Sequence, residues 1–158
     1  MRASLIPETD YESDLYAWTQ DQAALLRARR ADAIDWDNLT QEIERLGRRD
    51  RRELGSRLAV VLLHLLKWQF QPGRRGSSWQ KSIQTQRREI AAILKQRPSL
   101  RREVPELMMD AFRYALEDAQ EQTVLPGRAF PSCPYAPQQV LHRGYMPEKA
   151  GELERSSS

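Results

Sequence analysis

Residues 57–79, RLAVVLLHLLKWQFQPGRRGSSW, constrain the fold of this chain more than any other stretch. The first half is nearly all apolar and carries one histidine, His64, and one lysine, Lys67. The pattern stops at a Gln-Pro-Gly sequence and restarts at Ser-Ser-Trp. Because a helix that is apolar on most of its circumference is a buried helix, the stretch predicts the central helix of a bundle, then a loop, then a further helix.

Apolar residues recur at helical spacing along the rest of the chain, and strand alternation is essentially absent. We predict a first helix over residues 11–30 and a second that begins at the N-cap Asp35. The charged segment 47–53 contains no proline and the apolar stripe keeps its phase across it, so we expect one long second helix. The stripe of its first half should face inward and consists of Trp36, Leu39, Ile43 and Leu46.

The third and fourth predicted helices follow the loop. Ser77 and Gln80 have the spacing of a capping box for the third helix, which should end near residues 97–98. Ser99 is a candidate cap for the fourth helix, but Pro105 disfavours helical geometry at the residue before it, so the start of this helix stays open. Its inward residues should include Tyr114, and it should fade around Gln122.

A segment rich in proline and aromatic residues, VLPGRAFPSCPYAP, comes after the fourth helix. It is too apolar for a free linker, and we expect it to dock on the bundle through Phe130 and Tyr135. A short helix should follow over residues 137–142, because proline is favoured at a first helical position. The sequence thus predicts an all-α, four-helix bundle-like domain over residues 1–147, with a long second helix and a docked C-terminal segment; residues 148–158 should be a disordered tail.

The composition is that of a globular protein, with 40% hydrophobic and 30% charged residues in a chain of 158. The longest apolar run, residues 58–66, is far shorter than the roughly 20 residues of a membrane-spanning helix. The N-terminus turns acidic where a signal peptide would be apolar. Cys133 is the single cysteine and permits no internal disulfide. We therefore expect a cytoplasmic protein without a membrane association.

Several segments in order resemble one family. They are YESDLYAWTQDQAALLR, WDNLTQEIERLG, SRLAVVLLHLLKWQFQP, SSWQKSIQTQRREI, PSL and FPSCPY, and they cover most of the chain. Together they resemble the mostly bacterial proteins grouped as domain of unknown function 29. The chain departs from that pattern at Pro105, where the family usually continues a helix. The resemblance implies an all-helical bundle and implies no activity.

His64 is the first candidate for chemistry, because a buried histidine can act as acid, base or ligand. The alternative is a core histidine that is hydrogen-bonded to a neighbouring helix. The chain has no pair of histidines or cysteines at metal-ligand spacing and no Gly-rich phosphate loop. We therefore expect no metal site, no cofactor and no catalytic residue.

Glu42 lies close to the apolar stripe of the second helix. It is a candidate to pair with Arg51 of a partner chain or with Arg87 of the same chain. The alternative is a structural ion pair or plain surface charge.

Basic and aromatic residues gather around the loop after the second helix. Arg74 and Arg75 lie in the loop, and Trp68 and Trp79 bracket it. If exposed, such a loop is a candidate hot spot for a partner, whereas buried tryptophans would simply anchor the helix ends. The net charge of +3 is mildly basic, and many arginines occur in clusters, which makes a phosphate-binding face a further possibility.

Three functions remain open from the sequence. The preferred one is a non-enzymatic protein-interaction module, with self-association as one form. Its candidate residues are His64, Lys67, Trp68, Arg74, Arg75, Trp79, Glu42 and Arg87. The alternatives are an arginine-mediated nucleic-acid binder, whose binding would weaken steeply with salt, and a ligand-binder or enzyme centred on His64.

Overall fold

The computed structural model describes residues 9–122 and 132–148, and within these ranges every regular element is helical. The all-α fold that the sequence predicts is therefore confirmed. The five α-helices are α1 (Leu15–Arg27), α2 (Trp36–Phe70), α3 (Ser77–Gln96), α4 (Val104–Gln122) and α5 (Pro137–Leu141). Two short 3-10 helices, Pro72–Arg74 and Pro98–Glu103, connect α2 to α3 and α3 to α4.

The chain divides into two compact units, residues 1–49 and 50–158, with the boundary inside α2. The expectation of one domain over residues 1–147 stays a prediction. Of the predicted anchors of the C-terminal segment, Phe130 lies outside the described residues, as does the predicted tail apart from its first residue.

The first helix is shorter at both ends than its sequence pattern predicts. Asp14 caps α1 by accepting a hydrogen bond from the backbone N–H of Ala17 at 3.0 Å, which satisfies a free donor of the first turn. At the other end the chain turns through Arg29, whose φ of 57° lies in the left-handed region. The predicted span of 11–30 is therefore wrong, because local capping and a turn end the helix before the apolar pattern does.

The second helix is one continuous element of 35 residues, as predicted. At 1.5 Å per residue it is roughly 50 Å long. Asp35 caps it by accepting from the backbone N–H of Asn38. The predicted inward stripe is wrong in the first half, because Trp36, Ile43 and Leu46 are 55%, 62% and 60% exposed.

The hydrophobic core lies in the second unit and is centred on the second half of α2. Leu54, Leu58, Val61, Leu62, Leu65 and Leu66 of α2 are completely buried. Residues of α3 and α4 pack around them, including Ile83, Ile90, Leu107, Ala111 and Ala115. This confirms the sequence-based expectation that the 57–70 stretch is the buried centre of the helices that surround it.

The starts of α3 and α4 differ from their predictions in instructive ways. Gly76, and not Ser77, is the N-cap of α3, and no side chain caps this end, so the predicted capping box is wrong. Ser99 lies in a 3-10 helix and does not cap α4. Instead α4 begins at Val104, and Pro105 occupies the first turn, where its missing N–H is not needed. Tyr114, predicted to face inward, is 60% exposed.

Candidate functional site

The C-terminal end of α2 is closed by an arginine from the loop that follows. The guanidinium of Arg75 lies 4.9 Å from the ring centre of Trp68, a cation–π distance. Its Nε donates a hydrogen bond of 2.7 Å to the backbone carbonyl of Trp68. Because the last carbonyls of a helix lack intrahelical partners, this bond satisfies one of them and folds the loop back onto α2.

A second cation–aromatic pair lies beside the first. Lys67 sits 5.2 Å from the ring centre of Trp79, at the start of α3. Its ammonium also donates to the side-chain oxygen of Gln122 at 2.7 Å, at the end of α4. The structure therefore brings Lys67, Trp68, Arg75 and Trp79 into two stacked pairs. Arg74 is exposed in the loop between them.

The charge around this loop is of one sign along the sequence. No aspartate or glutamate occurs between Glu53 and Glu89, so the second half of α2, the loop and the first half of α3 carry only basic charges. The charged segment around Asp50 differs, because several of its arginines have carboxylate partners. The ion pairs there are Arg48–Glu44, Arg51–Glu103, Arg51–Glu106 and Arg57–Glu53. The loop is thus a basic surface with no acidic residue near it in sequence.

His64 bonds to its own helix. Its Nδ1 lies 2.8 Å from the backbone carbonyl of Val60, so in the neutral form Nδ1–H is the donor. Burial lowers the pKa of His64, and the nearby charge of Lys67 lowers it further. No carboxylate hydrogen-bonds to His64 in the described ranges, and these contain no group of side chains that could hold a metal ion. The geometry favours a neutral, structural histidine.

Glu42 and Arg87 each bond to other groups, and for Glu42 the structure shows the structural ion pair that the sequence left open as the alternative. Glu42 accepts a hydrogen bond from the hydroxyl of Tyr11 and forms an ion pair with Arg45 at 3.1 Å. This hydrogen bond raises the pKa of Tyr11. Arg51, the other predicted partner of Glu42, pairs with carboxylates of its own unit.

Arg87 is the most deeply buried charged side chain of the described residues, at 2% exposure. Within the described ranges its guanidinium bonds to no carboxylate and instead donates to backbone carbonyls of the C-terminal segment. Its acceptors are Val140 and Tyr145 at 2.8 Å, Gln139 at 3.1 Å and Arg143 at 3.4 Å. Two of these carbonyls belong to the last turn of α5, where a cation also complements the helix dipole. Burial lowers the pKa of Arg87, and its carbonyl partners hold the C-terminal segment against α3.

A hydrogen bond and a ring contact fix the same segment from the other side. Tyr135 is buried, as predicted, and its hydroxyl donates to the side-chain oxygen of Gln69 at 2.6 Å. Its ring lies edge-on to Tyr145, with 6.4 Å between ring centres. Burial raises the pKa of Tyr135, and also that of the thiol of Cys133, which donates to the Tyr135 carbonyl. Cys133 is therefore a packed thiol and not an activated nucleophile.

A shallow cleft of about 340 Å³ lies beside α5 and is lined by Gln138, Gln139, His142, Gly144 and Tyr145. His64 does not line it. His142 accepts a hydrogen bond from the backbone N–H of Gly144, which occupies its Nδ1.

The feature that sequence reasoning missed is an apolar surface on the first unit. α1 and the first half of α2 run in opposite directions, because Tyr11 bonds to Glu42 whereas Trp18, further along, bonds to Asp35. The buried side of α1 carries Trp18, Gln22 and Leu25. Each helix also carries exposed apolar residues, and these lie about a quarter turn away from the side that faces the other helix.

Those two exposed sides point the same way. Viewed from one end of the pair, successive residues rotate clockwise in one helix and counter-clockwise in its antiparallel neighbour. A quarter turn in the chain direction, taken on each helix from its contact with the other, therefore points to the same side of the pair. On α1 the residues are Leu15 and Leu26, at 42% and 43% exposure. On α2 they are Trp36, Ile43 and Leu46, with Leu39 half-buried between them. We call these six residues the hairpin face.

The fold and the site together define an all-helical protein whose described residues show basic, aromatic and apolar surfaces. The chain matches the family described as Domain of unknown function DUF29 over residues 11–146. It belongs to this family, as the sequence resemblance predicts. No curated protein and no solved structure matches the chain. Within the described ranges, no helix combines the length and apolar character that a membrane crossing needs.

Proposed function

We propose that this protein is a non-enzymatic interaction module that docks an amphipathic helix on its hairpin face. The observation that carries the proposal is the exposure of Trp36, Ile43 and Leu46, each more than half accessible on one stripe of α2. Burial of apolar surface contributes about 25 cal/mol per Å², so three such side chains on one stripe favour association. Contiguous exposed apolar surface of this kind is typical of interaction sites.

The spacing of the stripe indicates what kind of partner fits. Trp36, Leu39, Ile43 and Leu46 follow one another at intervals of three, four and three residues. This is the a/d spacing of a coiled coil, in which the side chains of one helix insert between those of a facing helix. A helix with its own apolar stripe is therefore the partner that matches the face. A single cysteine and the resemblance to a mostly bacterial family favour the bacterial cytoplasm as its setting.

The test is capture of binding partners from native lysate, treated with nuclease, by the full chain and by two matched variants. The first variant carries Ile43→Gln and Leu46→Gln on the hairpin face. The control carries Met109→Gln and Tyr114→Gln, which remove equally exposed apolar side chains (73% and 60%) from α4. We expect the first variant to lose a stoichiometric partner that wild type and control retain. Equal capture by all three proteins would refute the proposal.

A second function is favoured by the basic loop. Arg74 is exposed and has no ion-pair partner in the described residues, and the sequence around it lacks acidic residues from 54 to 88. An arginine-mediated nucleic-acid binder would use this loop for phosphate contacts, with affinity that falls steeply as salt rises.

That alternative is tested by measuring binding of labelled single-stranded and duplex DNA and of RNA at two salt concentrations. Arg74→Gln should weaken binding, whereas Arg27→Gln, at an exposed arginine of α1, should leave it unchanged. Absence of binding even at low salt would exclude this function.

A further inference from the structure

We infer that the helix docked on the hairpin face is the same segment of a second copy of this chain, with the two α2 helices antiparallel. The inference rests on the proposed function and names its partner. The two copies would be related by a twofold axis that crosses the stripe at the level of residue 41 along each α2.

The stripe is complementary to itself in that arrangement. With the twofold axis at the level of residue 41, Trp36 lies opposite the partner's Leu46, and Leu39 lies opposite the partner's Ile43. The same two layers repeat on the other side of the axis, so each of the four layers is apolar. In an antiparallel coiled coil an a residue faces a d residue of the other helix, and this is the pairing that the spacing gives.

The charges of the same segment favour the antiparallel direction over the parallel one. The segment carries Asp35 and Asp37 where α2 begins. At its other end Arg45 and Arg48 pair with Glu42 and Glu44 of the same helix, which leaves Arg49 as the basic charge of this end without an ion-pair partner among the described residues. Antiparallel pairing places the acidic end of each copy beside the basic end of the other. Parallel pairing would bring like charges together, which destabilises helix pairs. Among the described residues, Asp37 and Arg49 have no ion-pair partner, so both are free to contribute.

The first unit has a small core of its own, which a second copy would enlarge. Its buried apolar residues are Trp18, Leu25 and Ile34, and none of them belongs to the main hydrophobic core. So few buried side chains give a helix pair little stability by itself. Two hairpins packed face to face would form a four-helix arrangement and cover Leu15 of α1 together with the stripe of α2.

The experiment measures the molar mass of the full chain by sedimentation over a wide concentration range, for wild type and for the Ile43→Gln, Leu46→Gln variant. Antiparallel pairing is tested by disulfide trapping in a Cys133→Ser background. Thr40→Cys places the thiols of the two copies beside the axis, on the flank of the stripe. Gln41→Cys is the control, because residue 41 is equally exposed but lies on the opposite side of α2.

We expect a dimer that the double substitution converts to monomer, and a covalent dimer from Thr40→Cys but not from Gln41→Cys. A monomer at every concentration, a dimer that persists in the double variant, or equal trapping at both positions would overturn the inference. If the chain is monomeric but the double variant loses a lysate partner, the inference fails and the proposed function stands. If neither measurement responds to the double substitution, both fail.

Discussion

Arg87 offers the sharpest test of how the C-terminal segment is held. Replacement of Arg87 by alanine removes hydrogen bonds to the carbonyls of four residues, two of them at 2.8 Å. A hydrogen bond to a charged group contributes about 1.5–3 kcal/mol, so the two shortest bonds together account for about 3 kcal/mol. The other two are longer, and relief of a buried charge offsets part of the loss. We expect Arg87→Ala to lower the free energy of unfolding by about 3–4 kcal/mol.

The neighbouring residue provides the control. Arg88 follows on the same helix, is exposed, and has no ion-pair partner in the described part of the chain. Arg88→Ala should change the free energy of unfolding by less than about 0.5 kcal/mol, as surface substitutions usually do. Both variants lose one positive charge and gain the same helix-favouring residue, so their difference isolates the buried contacts.

The measurement combines urea unfolding, followed by circular dichroism, with amide hydrogen exchange. In Arg87→Ala, amides of residues 137–146 should exchange faster than in wild type, whereas those of the α2 core, such as Leu62, should keep protection until global unfolding. In unfolding free energy and in exchange rates, Arg87→Lys should be closer to Arg87→Ala than to wild type, because an ammonium cannot direct donors to carbonyls on several sides at once. Equal stability of the Arg87→Ala and Arg88→Ala proteins would refute this account of the segment.

Three further predictions concern single residues. Because burial holds the pKa of His64 below its usual 6.5, the folded state binds fewer protons than the unfolded state as pH falls below 6.5, so stability should decrease on acidification. His64→Gln should reduce that dependence in urea titrations at pH 7 and pH 5, and an unchanged dependence would contradict it. Tyr135→Phe leaves the buried side-chain oxygen of Gln69 without its donor and should cost about 1–3 kcal/mol of unfolding free energy, and an unchanged urea midpoint would contradict the hydrogen bond. Gly47→Ala meets no atom within 4 Å and should stabilise α2 by about 0.5–1 kcal/mol, visible as a higher melting temperature; a lower one would show that this helix needs the glycine.

Periodicity predicted α2 well because its signal is local. The stripe keeps one phase through residues 47–53, no proline interrupts it, and the structure shows one helix. The same signal predicted that Ile43 and Leu46 face inward, and they are exposed. An apolar stripe shows which side of a helix avoids water, but whether another element covers that side depends on tertiary packing that periodicity does not contain.

The partners of Arg87 could not be read from the sequence for a related reason. Charged side chains are expected to pair with opposite charges, and Glu42 was the candidate. The acceptors are backbone carbonyls more than fifty residues away, such as that of Val140, and carbonyls carry no sequence signature because every residue has one. The Trp68 and Trp79 anchors were easier, since they flank the loop that they fix.

The hydrogen bonds from Arg87 to backbone carbonyls also affect which sequence changes the C-terminal segment can accept. The guanidinium of Arg87 bonds to main-chain carbonyls and not to side chains. Substitutions at residues 139, 143 and 145 therefore keep these hydrogen bonds, provided that the backbone keeps its path. Proline also leaves a carbonyl in place, and only a change in backbone direction would displace the acceptors. Homologues should therefore retain the length of this segment and an arginine at the position of Arg87, whereas these hydrogen bonds do not fix the side chains at positions 139 and 143.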